Sequence, residues 1–186
     1  MDHRPLVCPL WSFVFGNDRP VEIEIGPGRG DVLLAFAAAR PDVNFFAIEH
    51  VRGAVERLAL RLEDAGATNA RVIGGDAPCV VRHLVPTASI AAYHIYFPDP
   101  WPKRRHRHRR LFTDDFSAAL RRTLIPGGTV DIATDLDWLY DTMAGALTTA
   151  GFTPTGHAPA RERPTTRFER KYASAGTFAG RFQALR

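Results

Sequence analysis

From residue 21 onward, short apolar runs alternate with stretches of helical period. Residues 21–25 (VEIEI) set β-branched side chains at every second position, which predicts a strand. The turn GPGRG follows at 26–30, and a helix is expected over 31–40, stopped by Pro41. A second strand is expected at 44–48, with Glu49 at its end. Over 51–65 the apolar residues Val55, Leu58 and Leu62 are spaced three and four apart, as on one face of a helix, and Gly66 is placed to cap it.

The alternation continues. Residues 70–74 predict a third strand, followed by Asp76 and a short helix over 79–84. Residues 89–97 predict a fourth strand, ending in the sequence PDPWP. A basic loop comes next, and then a helix over 113–124, where Thr113 supplies an N-cap and Asp114 and Asp115 place acids in the first turn. Pro126-Gly127-Gly128 is expected to turn the chain into a fifth strand at 129–134, and a helix follows over 136–150. Gly151-Phe152 begins a return to the sheet, and 178–185 predicts a last strand. Strands alternating with helices imply an α/β fold with a parallel sheet. The domain reading is a single domain over 21–186, preceded by an N-terminal segment of residues 1–20 in which 6–15 packs against it.

The placement of acids and glycines adds chemistry to this outline. Glu24 lies near the end of the first expected strand, Glu49 ends the second, Asp76 follows the third and Asp99 follows the fourth. Open α/β sheets bind ligands outside the carboxyl ends of their strands, so the four acids are expected to converge on one crevice. Gly26, Gly28 and Gly30 permit positive φ and close approach of a ligand to the backbone. Glu49 follows Gly30 by 19 residues, close to the spacing of an acid that binds ribose hydroxyls. A dinucleotide would bring phosphates and a GxGxxG turn. This turn is GxGxG, and its rim offers carboxylates with Arg29 alone. S-adenosylmethionine carries hydroxyls, amines and a sulfonium but no phosphate, and it suits such a rim better.

Charge is uneven. The net charge is only +4, yet residues 103–110 read KRRHRHRR, a segment that suits a polyanion. The two cysteines, Cys8 and Cys79, sit in no metal-ligand or redox spacing and are expected to be small buried hydrophobes. A chain so poor in cysteine suits a reducing cytoplasm. No apolar run reaches the ~20 residues of a membrane span, and His94, His106 and His108 are given no metal or catalytic partner.

EIGPGRG at 24–30, IE at 48–49, FPDPWPKRRHRHRR at 97–110, TD at 134–135 and TRFE at 166–169 occur in that order. With these motifs the chain resembles the bacterial tRNA (guanine-N7)-methyltransferases. The resemblance implies a Rossmann-like class I methyltransferase fold, with a mostly parallel seven-stranded sheet flanked by helices. It also implies S-adenosyl-L-methionine as methyl donor, N7 of a guanine in tRNA as acceptor, and a cytoplasmic monomer or homodimer. Carried over by position, Glu24, Glu49, Asp76 and Asp99 bind the cofactor with the three glycines, and Asp99 also lies at the catalytic centre. Lys103, Asp135, Thr166, Arg167, Phe168 and Glu169 contact the substrate. Arg105, His106, Arg107, His108, Arg109 and Arg110 meet RNA. Plain structural work is the alternative at some positions: Asp135 as a helix N-cap, Thr166 and Glu169 as a capping box, and Trp101, between prolines, as a core plug. The short stretch before Val21 keeps a second acceptor open, a small purine-like heterocycle.

Overall fold

The computed structural model describes residues 9–155, 165, 169 and 176–184. Five parallel strands form its centre: β1 (Val21–Ile25), β2 (Asn44–Glu49), β3 (Ala70–Gly74), β4 (Ile90–Tyr96) and β5 (Leu124–Thr134). Two further strands, β6 (Phe152–Pro154) and β7 (Phe178–Ala184), complete a sheet of order β3-β2-β1-β4-β5-β7-β6. β7 runs antiparallel to both β5 and β6, so the sheet is mixed at that edge.

β1 lies at the middle of the five parallel strands and is buried at all five positions, as expected of a strand covered on both faces. Side chains alternate between two cores. On one face Ile23, Ile48, Ile95 and Ile132 pack under α1 (Pro9–Phe15), α4 (Ala77–His83), α5 (Asp114–Thr123) and α6 (Asp137–Thr149). On the other, Phe45, Ala47 and Ala133 meet α2 (Asp31–Ala39) and α3 (Arg52–Asp64) through Leu33, Phe36, Leu58 and Leu62. Each fully buried Leu, Ile or Phe contributes ~1.5–3 kcal/mol by leaving water.

Several local readings change. The segment expected only to pack as a lead-in contains α1, whose Trp11 and Phe15 are buried against the first core. β5 begins at Leu124 rather than after the glycines, because Leu124 pairs with Ile90; the register then shifts before Thr129 pairs with Ala92. The basic stretch expected as a loop forms a 3-10 helix, Arg104–Arg109. Cys79, expected in the core, is exposed on α4; Cys8 lies outside the described residues.

Side chains also close helix ends. Asp76 accepts from Cys79 N at 2.9 Å and Thr113 accepts from Phe116 N at 3.2 Å, capping α4 and α5. Buried Asn69 donates to the carbonyls of Ala37, Arg40 and Val43, satisfying the end of α2 and the turn after it.

Candidate active site

The chain passes from β1 out to β2 and β3, then returns to lay β4 on β1's other side. The strand order therefore reverses between β1 and β4, and a crevice opens above the carboxyl ends there. A cleft of about 780 Å³ occupies this position. Its walls are Gly26 and Gly28 after β1, Glu49 and Val51 after β2, Gly75 and Asp76 after β3, and Phe97 through Asp99 with Trp101 after β4. Arg109, Arg110 and Leu111, from the end of the basic segment, also line it.

The glycine turn brings backbone close to this space. Gly26, Gly28 and Gly30 have φ of +67°, +55° and +75°. Gly30 also precedes α2 directly, and a β-carbon there would run into the Leu58 side chain of α3.

Glu49 is buried, and its carboxylate is held by two backbone donors, Gly28 N–H at 3.0 Å and Val51 N–H at 2.8 Å. That arrangement ties the glycine turn to the end of β2 and fixes the carboxylate facing the cleft. Asp76 and Asp99 are exposed on the cleft wall. Glu24 is buried inside β1, paired in register with Ala47 and His94, and is not among the residues lining the cleft.

The PDPWP segment is bounded by unusual backbone: Phe97 has φ +51° and Trp101 φ +40°. Non-glycine residues in this region cost of order ~1–3 kcal/mol each and persist only where their surroundings hold them. Phe97 is held by its N–H, which donates to Ala133 O at 2.7 Å.

Lys103, Arg104 and Arg105 are exposed and are not among the residues lining the cleft. The Arg109 guanidinium lies 4.8 Å from the Trp101 ring centroid, and His106 meets the same ring edge-on at 5.4 Å. Asp135 is half-buried just past the end of β5, the strand next to β4. It is not the N-cap of α6; Leu136 holds that position. Glu169 accepts from the Thr177 hydroxyl at 3.4 Å. Thr166, Arg167 and Phe168 lie outside the described residues, as do the side chains of Arg107 and His108.

One polar system had no clear signal in the sequence. Glu22, His94 and Asp131 are buried side by side on β1, β4 and β5. His94 Nε2 lies 2.8 Å from Glu22, and Nδ1 lies 3.0 Å from the Tyr96 hydroxyl and 3.6 Å from Asp131. Arg40 donates two bonds to Glu22 and Arg181 two to Asp131. Burial by itself would raise the Glu22 carboxyl, but the His94 hydrogen bond, the His94 charge and the Arg40 pair outweigh it and hold it below the usual carboxylate range. Among the described residues, no cluster of His, Cys, Asp and Glu is arranged to hold a metal ion, and no helix is long and apolar enough to cross a membrane.

Topology and cleft together give the architecture of the Rossmann-like methyltransferases. The solved 16S rRNA methyltransferase KamB superposes with a TM-score of 0.70 at 14% identity, over 95% of this chain and 93% of that one. A family profile described as "Putative methyltransferase" matches residues 18–179. The tRNA (guanine-N(7)-)-methyltransferase of Cutibacterium acnes is 38% identical over 170 residues, covering 88% of this chain and 62% of that protein. Its counterpart from Nitrosomonas eutropha is 39% identical over 171 residues, covering 88% and 75%. The chain belongs to the tRNA (guanine-N7)-methyltransferase family. It spans 60–63% of the length of several of these relatives.

Proposed function

We propose that this chain transfers the methyl group of S-adenosylmethionine to N7 of a guanine in tRNA, in the cytoplasm. The observation that carries this reading is the cleft itself: Glu49, Asp76 and Asp99 line it at the strand switch point, and the arginines that line it, Arg109 and Arg110, both come from the end of the basic segment. A carboxylate rim repels the phosphates of ATP or a dinucleotide and accepts from hydroxyls, amines and a cation.

Glu49 is the residue for the ribose hydroxyls: Gly28 and Val51 N–H groups fix it, and each carboxylate oxygen keeps a further lone pair. Asp76, with one oxygen engaged by Cys79 N–H, faces the same space. Glu24 supports this set from within β1, behind the glycine turn. When bound, S-adenosylmethionine supplies an electrophilic methyl carbon on a sulfonium. Guanine N7 already carries its lone pair, so no residue has to remove a proton from it. The work left to the protein is orientation and electrostatics. Asp99 stands where positive charge grows on the guanine ring, and Asp135, just past the neighbouring strand β5, accepts from the base's N–H groups. Trp101 offers a stacking surface for an extruded base. Lys103, Arg104 and Arg105 meet the phosphate backbone outside the cleft.

The test is transfer of labelled methyl from S-adenosylmethionine to unmodified tRNA, with the product mapped by borohydride–aniline cleavage at N7-methylguanine. Label in tRNA with cleavage at one guanine is the expected result. No label in tRNA, but transfer to a free purine, would replace this acceptor with a small heterocycle.

A further inference from the structure

The basic segment does two jobs, and Arg110 belongs to the second. Lys103, Arg104 and Arg105 are exposed, whereas Arg110 is half-buried and lines the cleft. Its guanidinium stands 5.1 Å from the ring centroid of Trp138 on α6, and its Nε–H donates to the Trp101 carbonyl at 3.3 Å. Trp101 and Phe97 are the two residues of this loop held at positive φ, and Phe97 is fastened to β5 through Ala133. The loop carrying Asp99 is thus tied at its start to the sheet and at its end, through Arg110, to α6.

We infer that Arg110 is a positioning residue: it fastens the Trp101 end of the loop to Trp138 and so sets where Asp99 stands, rather than acting as a phosphate ligand. A guanidinium lying over an indole ring and donating its Nε–H to a carbonyl has given up hydration and one donor, and its planar face is used. A lysine supplies the same charge but cannot reproduce the stacked, directed arrangement. A phosphate contact, by contrast, is largely preserved by lysine and shows itself in the salt dependence of RNA binding. This inference rests on the tRNA methyltransfer reading for its kinetic arm only.

The experiment compares Arg110→Ala, Arg110→Lys, Trp138→Leu and Arg105→Ala. Arg110→Ala is expected to lower kcat about tenfold or more while the salt slope of tRNA binding stays at the wild-type value. Arg110→Lys is expected not to restore kcat. Trp138→Leu should match Arg110→Ala, and the double variant should add little to either. Arg105→Ala should instead reduce the salt slope by about one. A structural arm needs no activity: limited trypsin cleavage within residues 103–109, run well below the melting temperature of each variant, should speed up several-fold in Arg110→Ala and Trp138→Leu. Recovery of kcat in Arg110→Lys, a reduced salt slope in Arg110→Ala, or unaltered trypsin cleavage would each overturn the inference. Absence of methyl transfer by the wild-type protein would count against the tRNA reading alone, since the trypsin arm still reads the loop.

Discussion

Glu49, Asp76 and Asp99 stand at the carboxyl ends of strands, and Glu22 and Asp131 sit within them. The first group faces an open cleft and is held by backbone N–H groups or left to solvent. The second group is buried under helices, and each member is matched by an arginine through two hydrogen bonds, with His94 between them. Position along the strand decides what a carboxylate can do. At the end it keeps lone pairs for a ligand. Inside, its charge is consumed by neighbours, because an unpaired buried charge would cost several kcal/mol.

Substitutions can break this comparison, and the largest effect is expected at Asp99. Asp99→Ala should lower methyl transfer by about 10²–10³-fold, the scale of losing one electrostatic contact to a transition state. Its unfolding free energy should stay within about 0.5 kcal/mol of wild type, as for an exposed position. Labelled-methyl assays and urea titration measure the two quantities; retained turnover would remove Asp99 from the chemistry. Asp131→Asn should do the reverse. It leaves Arg181 without its bidentate partner across β5 and β7, and about 3 kcal/mol of stability should be lost in urea, with activity per folded molecule preserved.

Glu22→Gln sharpens the same contrast through pH. It should cost about 2 kcal/mol near neutrality, the scale of hydrogen bonds to charged groups. The Glu22 carboxyl is held below its ordinary value of 4.5 when folded, so its contribution is complete above that value and is lost as pH falls through the lower folded one. The stability gap between wild type and variant should therefore narrow in acid; a gap independent of pH would mean that the charge of Glu22 is not what stabilises the sheet. The smallest effect is expected at Glu49→Gln, where an amide must face either the Gly28 or the Val51 N–H. Calorimetry should show S-adenosylmethionine binding weakened about tenfold, roughly 1.4 kcal/mol.

Much of the cleft was legible because its parts follow strands in sequence. The five parallel strands, the glycine turn, and Glu49, Asp76 and Asp99 could all be placed from period and spacing. Glu24 was legible only as an acid near a strand end. Its distance from the lining depends on β1 being covered on both faces, which a single strand's pattern does not state. The Glu22–His94–Asp131 system was hidden for a related reason. Its members come from three strands that are neighbours only after folding, and its arginines lie after α2 and within β7. A histidine in an apolar run carries no mark of the carboxylates beside it. The start of β5 was missed because Pro126-Gly127-Gly128 signals a turn locally, while pairing of Leu124 with Ile90 overrides that signal.

The insertion of β7 between β5 and β6 has a consequence for synthesis. While the ribosome is still making the chain, the outer edge of β5 has no neighbour, and it cannot gain one until residues 178–184 emerge. During that interval the ladder from Thr129 to Thr134 is an open template for another nascent chain. Translation rate and chaperone supply, rather than the stability of the finished sheet, should then govern how much of this protein reaches its native form.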